Sequence, residues 1–265
     1  MVILSVVSPK GGVGKTTLTA ALADQFSKSR NVFAVDLDPQ NALKLHMGLP
    51  VQQVAGISRA TLLARSWDTC LFKNRGANVL PYGSLNENDR ASFERCIAKR
   101  PDWLSSGLSG LSADSNDLII VDTPPGPSVY QQQALHVADF VLVVLNGDPA
   151  SYVTVPAMEA ILKAHCPLIA NRSRVAYLFN NISARSKVSR DVIKLARAQL
   201  GQRVVPWVVH QDESVKESLV FEQSVLSYAP DSEASRDLAK VSAWLDRQIF
   251  SGFPGKPNLD GIVKP

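Results

Sequence analysis

Short apolar runs alternate along this chain with longer segments in which apolar residues recur at helical spacing. The runs that we interpret as strands are residues 2–7, 31–36, 78–81, 117–122, 140–145, 175–179 and 204–210. Strands that are apolar along their whole length are typical of parallel sheets whose two faces are both covered. The pattern therefore predicts an α/β fold, with a mostly parallel β-sheet and helices on both faces.

The segments between these runs predict helices over 18–26, 131–138, 152–163, 187–197, 212–220 and 232–249. Residues 51–111 are less regular. We interpret 51–74 as one or two helices and 86–111 as a long helix that Pro101 interrupts. In the last helix Leu238, Val241, Leu245 and Ile249 share one face and are expected to point at the core.

Length and composition are those of one globular domain. With 265 residues, 45% of them hydrophobic, the chain can form a single core over residues 1–250. The proline- and glycine-rich tail 251–265 is expected to be disordered. No apolar run reaches the roughly 18 residues of a membrane span, and no basic residues precede the first strand as in a signal peptide. Three cysteines without metal spacing suit a reducing compartment, so we expect a cytoplasmic protein without a transmembrane segment.

A glycine-rich turn, SPKGGVGKTT at residues 8–17, follows the first strand and precedes the first helix. This is the order of elements that a phosphate-binding P-loop requires. Backbone N–H groups of such a loop point at phosphate oxygens, and the helix N-terminus adds its positive dipole end. Lys15 is expected at the β- and γ-phosphates and the Thr16 hydroxyl on Mg²⁺. The predicted nucleotide-binding residues are Gly11, Gly12, Val13, Gly14, Lys15, Thr16 and Thr17.

Carboxylates end two further predicted strands. Asp36 and Asp38 lie in DLDPQ, and Asp122 begins DTPPG. Because ligands bind at the carboxyl ends of parallel strands, these acids are expected at the same edge as the P-loop. Asp122 is placed, as in a Walker B motif, to hold Mg²⁺ through water. For Asp38 an Asx turn with Pro39 is the structural alternative.

The loop KGGVGKTT, with a second lysine at Lys10, resembles the deviant Walker A motif of the MinD/ParA family of P-loop ATPases. DLDPQ and DTPPG resemble the switch I and switch II segments of that family. The resemblance implies ATP and Mg²⁺ as ligands and a homodimer with ATP sandwiched at its interface. It implies that Lys10 reaches the partner's phosphates and that Asp38 orients the attacking water, which makes Lys10, Lys15 and Asp38 the catalytic residues. Thr16, Asp36 and Asp122 would lie around the metal.

Asn180, at the end of the run 175–179, resembles the position at which this family recognises adenine. An asparagine in a β-turn is the alternative interpretation. The N-K-x-D motif of GTP-specific P-loop proteins is absent from the sequence, which favours adenine over guanine.

Between Arg172 and Arg203 there are eight basic residues and one acid, Asp191. Four of the basic residues, Lys187, Arg190, Lys194 and Arg197, fall on one face of a predicted helix, and we expect Val188, Val192 and Leu195 opposite them. This basic face is either an ordinary solvated surface or a contact for DNA, an anionic membrane surface or an acidic partner protein.

Two stretches outside the P-loop and switches, 66–85 with SWD and NVLPYGSL and 204–213 with VVPWVVHQDE, resemble one branch of the family, the cellulose biosynthesis (BcsQ) proteins. The resemblance implies a slow ATPase that regulates assembly or localisation of the bacterial cellulose secretion machinery through protein partners, recruited to the inner membrane or the cell pole. Two alternatives stay open. One is a ParA-type partition ATPase that binds DNA non-specifically as an ATP dimer, and the other is a nucleotide-dependent scaffold with negligible turnover.

Overall fold

The computed structural model describes residues 1–167 and 174–250. Within them, seven strands form one sheet in the order β3-β4-β2-β5-β1-β6-β7. Neighbouring strands are parallel except for the pair β3 and β4. The strands are β1 (Val2–Val7), β2 (Val32–Asp36), β3 (Phe72–Asn74), β4 (Ala77–Leu80), β5 (Leu118–Asp122), β6 (Phe140–Asn146) and β7 (Val175–Asn180).

Helices connect these strands and cover both faces of the sheet. They are α1 (Lys15–Ser27), α2 (Leu43–His46), α3 (Ile57–Leu62), α4 (Glu87–Ala98), α5 (Trp103–Ser109), α6 (Val129–Val137), α7 (Pro149–Tyr152), α8 (Val155–His165), α9 (Lys187–Leu200), α10 (Ser214–Val220), α11 (Val225–Tyr228) and α12 (Glu233–Phe250). Short 3₁₀ turns lie at Trp67–Cys70 and Gly201–Arg203.

Successive side chains of the central strand β1 enter different parts of the core. Leu4 and Val6 join the apolar cluster beneath α1 and α12. Ile3 joins the cluster that α4, α5 and α6 complete, and Val7 joins the one beneath α8 and α9. Because residues alternate across a strand, both faces of β1 are buried. The predicted α/β fold with helices on both faces is confirmed.

Residues 51–111 differ in part from their prediction. The interrupted helix over 86–111 is confirmed as α4 and α5, which are separated around Pro101. Helices over the whole of 51–74 are wrong, because residues 72–74 form the antiparallel edge strand β3. This strand is only three residues long, and Phe72 packs against the core from it. A strand of three residues is too short to show an alternation of apolar and polar residues in the sequence, and it forms by pairing with β4.

The strand predicted over 204–210 is wrong. The segment makes two isolated bridges, between Tyr177 and Val204 and between Ile182 and His210. Pro206 lies between them and has no N–H group to donate to a ladder. The segment therefore follows β7 without extending the sheet.

The apolar face predicted for α9 is also partly wrong. Val192 is buried with Ile193 and Ala196, but Val188 and Leu195 are 53% and 54% exposed. At about 100° per residue, Val188 and Leu195 lie roughly a quarter turn away from the buried face. The exposed surface of α9 is therefore partly basic and partly aliphatic.

Two predicted features, Arg172 of the basic segment and the tail 251–265, lie outside the described residues. Within the described part of the chain, no helix has both the length and the apolar character needed to cross a membrane.

Candidate functional site

The glycine-rich loop lies at the carboxyl end of β1, between β5 and β6. Gly12 and Gly14 have φ of 73° and 82°, in the left-handed region, and Gly14 is the N-cap of α1. A Cβ atom on Gly14 would lie 2.4 Å from Asn180 Nδ2. Glycine is thus required there by backbone conformation and by the neighbouring side chain. The loop leaves the backbone N–H groups at the start of α1 available for an anion.

Lys15 is 6% exposed, and its Nζ donates a hydrogen bond to Ser8 Oγ at 2.8 Å. Burial lowers the pKa of Lys15, and the nearby carboxylates of Asp122 and Asp38 act in the opposite direction. The ammonium group therefore lies within the loop, next to acidic groups, without an ion pair among the described residues.

Asp36 and Asp38 shape the turn after β2, which we call switch I (residues 38–41). Asp36 is fully buried and accepts hydrogen bonds from the backbone N–H of Asp38 at 2.8 Å and of Leu43 at 3.2 Å, one on each oxygen. Asp38 Oδ1 accepts from Gln40 N at 2.9 Å, so the Asx turn is present. Both oxygens of Asp36 are thus engaged in holding switch I. Burial, together with the charge of Asp122, raises the pKa of Asp36 well above its usual range.

Asp122, at the end of β5, is fully buried. Burial raises its pKa to about 6, while the neighbouring Thr16 hydroxyl and the charge of Lys15 act against the rise. Thr19 Oγ1 donates to Asp122 Oδ1 at 3.4 Å, and Oδ2 has no partner among the described residues. A divalent cation or its bound water would supply that partner. The residues therefore fit Mg²⁺.

Protein ligands alone do not make a metal site here. In the described part of the chain, no group of three or more His, Cys, Asp or Glu side chains could hold a metal ion. Mg²⁺ commonly keeps several waters and is held by one or two carboxylates together with substrate phosphates. The arrangement of Thr16 and Asp122 beside the loop matches that mode of binding.

The second loop lysine contacts an acid that the sequence analysis did not identify. Lys10 Nζ donates to Asp148 Oδ1 at 3.4 Å, and both side chains are about two-fifths exposed. Asp148 also caps α7, because its carboxylate accepts from the backbone N–H and the hydroxyl of Ser151. The only sequence signal for Asp148 is its place just beyond the apolar run 140–145. Lys10 is thus held at the rim of the loop and not inside it.

Hydrogen bonds connect the segment after Asp122 to the loop. Thr123 Oγ1 donates to Val6 O at 2.9 Å, and Gly126 N donates to Ser8 O at 3.0 Å. Gln131 of α6 is fully buried, and its Nε2 donates to the same Ser8 oxygen at 3.4 Å. Gln131 was missed from the sequence, where it is one polar residue of a helix. The segment that resembles switch II therefore lies directly against the glycine-rich loop.

A cavity of about 130 Å³ lies beside the loop, on the side of β7. Asn180 lines it, and its Nδ2 donates to Val13 O at 2.7 Å. Its Oδ1 accepts no hydrogen bond from a described residue and can still accept one. The remaining walls come from the start of α1 and from residues near the C-terminal end of the described chain, where Val209 and Leu238 provide apolar surface. The cavity has the mixed character that a flat heterocyclic base requires.

The loop 209–212 on this cavity is fixed by Asp237 of α12. Asp237 is 5% exposed and accepts from the backbone N–H of His210 at 3.1 Å, with His210 Nδ1 at 2.6 Å. The sequence does not predict these residues as part of a site, although VVPWVVHQDE resembles a stretch of the BcsQ proteins. Residues so distant in sequence meet only in the folded chain.

The basic face of α9 lies outside this site. Arg190 donates to Ala184 O at 2.9 Å and Arg197 to Pro206 O at 2.9 Å, and both are exposed. Lys187 and Lys194 belong to the same helix. None of the four lines the cavity beside the loop.

Known proteins are similar to almost the whole length of this chain. A family model described as "Cellulose biosynthesis protein BcsQ" matches residues 1–245. The cellulose biosynthesis protein BcsQ of Escherichia coli (strain K12) is 28% identical over 247 residues, which cover 92% of this chain and 94% of that protein. A virulence plasmid ParA family protein, pGP5-D of Chlamydia psittaci, is 25% identical over 95% of this chain and 96% of its own.

Among solved structures, the septum site-determining protein MinD of Pyrococcus horikoshii OT3, complexed with Mg-ADP, has a TM-score of 0.76. Its identity to this chain is 22%, and the match covers 97% of this chain and 99% of that one. The likeness establishes the MinD/ParA type of fold.

Proposed function

Because the chain belongs to the BcsQ family of cellulose biosynthesis proteins, we propose that it is an ATPase that binds ATP with Mg²⁺ and hydrolyses it slowly. The observation that carries this proposal is that buried Lys15 and an unpartnered carboxylate oxygen of Asp122 both lie beside a glycine-rich loop. One group attracts phosphate and the other attracts a cation. Together they match the charges of a nucleotide with its magnesium ion.

Binding would use the loop and two strand ends. Lys15, Thr16 and the backbone N–H groups of residues 11–17 would hold the phosphates, while Thr16 and Asp122 would hold Mg²⁺. Asp36, whose oxygens both cap switch I, would act on the metal only through its charge. The ion would offset the negative charge of the transferred phosphoryl group.

Hydrolysis would depend on Asp38 and Lys10. Asp38 would orient the attacking water from switch I. Lys10 would leave Asp148 and reach the phosphates of a second protomer, where its charge stabilises the transition state, as an arginine finger does. Its place at the rim, about two-fifths exposed, supports a role towards a partner. The active form would therefore be a homodimer with two nucleotides at the interface.

Base selection would use Asn180. Since its Nδ2 is occupied by Val13 O, Oδ1 would accept a hydrogen bond from the exocyclic amine of adenine. The O6 oxygen of guanine is an acceptor and would face Oδ1 unfavourably. ATP would therefore bind in preference to GTP.

The family and the E. coli relative, a cellulose biosynthesis protein, support a proposal for the cellular role. We infer that residues 1–250 form one cytoplasmic ATPase domain that regulates assembly or localisation of the cellulose secretion machinery. It would act through protein partners at the inner membrane or the cell pole.

A second candidate is a partition ATPase that binds DNA as an ATP dimer. The observation that favours it is the exposed basic face of α9, together with the ParA family relative from Chlamydia psittaci. Phosphate contacts by Lys and Arg would make such binding sequence-independent and strongly salt-dependent.

One experiment separates these functions. The purified protein is measured for DNA binding and for molar mass by light scattering with ATP, with ADP and without nucleotide, at low and moderate salt. ATP binding and phosphate release are measured on the same samples. A dimer that forms with ATP, releases phosphate and ignores DNA supports the cellulose role. Salt-sensitive DNA binding that requires ATP favours partition, and a stable ATP dimer without phosphate release indicates a scaffold. If ATP neither binds nor changes the molar mass, the proposed ATPase function is wrong.

A further inference from the structure

A second cavity lies at switch I, and no residue of the glycine-rich loop 8–17 lines it. Its volume is about 420 Å³, a size that takes a small ligand or a few side chains of a partner. Residues 39–41 form one wall, residues 82–87 another, and Lys44 and Arg90 also line it. Neither Lys44 nor Arg90 has a part in the proposed nucleotide site.

Asn41 lines this cavity and carries an unsatisfied donor. It is 6% exposed and has φ of 52°, and its Oδ1 accepts from Gly83 N at 3.3 Å. Its Nδ2 is buried and has no hydrogen-bond partner among the described residues. Buried amide groups are normally paired, and an unpaired one is costly. A ligand that offers an acceptor to Asn41 would remove that cost.

Lys44 adds a buried positive charge. It is 7% exposed, and its Nζ donates to Val51 O and Gln53 O, both at 2.8 Å. These bonds use two of its three N–H donors. Lys44 makes no ion pair with any described residue. Buried charges are normally paired, so this ammonium group also favours an anionic neighbour.

The rim of the cavity has little compensating negative charge. The Arg90 side chain is 48% exposed, and its nearest carboxylate, Glu94, is 4.0 Å from Nε. Glu87 is the one acidic residue that lines the cavity in the described chain, and it is exposed. Two cationic residues and a residue with an unpaired amide donor thus line the cavity together with a single solvated carboxylate. The balance selects an acceptor with negative charge.

We propose that this cavity binds a carboxylate group, supplied either by a small free acid or by an Asp or Glu side chain of a partner protein. Asn41 N also donates to Asp38 O at 2.8 Å. A ligand held by Asn41 therefore fixes the turn that carries Asp38 and changes the rate of ATP hydrolysis. Only this rate effect rests on the proposed ATPase function, since the binding itself does not require it.

The test is an NMR titration of the ¹⁵N-labelled protein without nucleotide. The side-chain amide signal of Asn41 is assigned by its loss in Asn41→Asp. The probes are glutarate, the capped tripeptide acetyl-Ala-Glu-Ala-amide and its neutral match acetyl-Ala-Gln-Ala-amide. We expect a saturable shift of the Asn41 signal with both acids, with a dissociation constant of about 1 mM for a ligand as small as glutarate, and no saturable shift with the Gln peptide.

The two sources of the carboxylate give different orders of affinity. Binding of the Glu peptide about tenfold more tightly than glutarate assigns the cavity to a partner's side chain, and the reverse order assigns it to a free acid. Equal binding of the Glu and Gln peptides would overturn the proposal. So would the absence of any saturable shift when the acids are added to about ten times the expected dissociation constant.

Arg90→Glu on the rim is expected to weaken binding about tenfold. Arg95→Glu, the same charge change elsewhere on α4, should leave it unchanged. Equal effects of the two variants would mean that only the net charge of the protein matters. If the wild-type protein binds the acids but does not hydrolyse ATP, the proposed function fails while the carboxylate site stands.

Discussion

Asp122→Asn should stabilise the protein in the absence of metal and nucleotide. Asp122 is fully buried, one of its oxygens has no partner among the described residues, and Asp36 lies near it. Asparagine has nearly the same shape but carries no charge. The substitution therefore removes an unfavourable buried charge and also removes the group proposed to hold Mg²⁺.

The size of the expected stabilisation follows from the pKa of Asp122, which burial raises from 3.8 to about 6. Each pKa unit corresponds to about 1.4 kcal/mol, so ionised Asp122 costs the folded protein about 3 kcal/mol at neutral pH. Because the folded pKa lies above the unfolded value, the contribution of Asp122 to stability is most favourable below pH 3.8 and is lost as the pH rises to about 6. The gain in stability from Asp122→Asn should therefore grow between pH 3.8 and about pH 6 and stay constant at higher pH.

The assay is thermal unfolding in EDTA between about pH 4 and pH 8. At neutral pH we expect the variant to unfold up to about 10 °C higher than the wild type, with little difference near pH 4. Addition of ATP and of Mg²⁺ in excess of the EDTA should stabilise the wild type more than the variant, which lacks the carboxylate proposed to hold Mg²⁺. Asp24→Asn is the matched control, because Asp24 is also buried but accepts hydrogen bonds from the hydroxyls of Ser224 and Ser227. A variant at Asp122 no more stable than the wild type at neutral pH would refute the reasoning.

Four further substitutions test the loop and the core. Gly14→Ala, at φ of 82° and with its Cβ 2.4 Å from Asn180 Nδ2, should abolish ATP binding measured by calorimetry, and normal affinity would contradict the loop geometry. Lys10→Ala should bind ATP but lose hydrolysis in a single-turnover assay, whereas Lys15→Ala should lose binding itself; normal turnover by the Lys10 variant would mean that no lysine acts across a dimer. Gly107→Ala, whose Cβ would meet a tryptophan ring at 2.4 Å, should cost about 1–3 kcal/mol in urea unfolding and leave ATP binding intact.

The parts of the site that lie next to one another in sequence could be predicted from it. The loop residues 8–17 and the acids at the ends of β2 and β5 form local patterns, and the parallel sheet brings them to one edge. Asp148, Gln131 and Asp237 could not be found in this way. Each is a single polar residue whose role depends on what packs against it.

The errors have similar physical causes. The face of α9 was assigned from its charges, but Ser189 and Ala196, small and weakly patterned, lie on the buried side while Leu195 does not. The run 204–210 is apolar enough for a strand, yet Pro206 prevents a ladder. The pattern of apolar residues along a segment shows neither which small residues are buried nor where a proline interrupts the hydrogen bonds of a strand.

The position of β1 has a consequence for how nucleotide-dependent motion can be observed. The strand lies between β5 and β6, with both faces buried, and the P-loop continues directly from it. In hydrogen–deuterium exchange, amides 2–7 should open only with global unfolding, while 8–17, 38–41 and 123–126 exchange through local opening. A slow internal reference therefore lies immediately next to the segments that respond to the nucleotide. The exchange rates of the segments that respond to the nucleotide can therefore be compared with those of β1 in the same experiment.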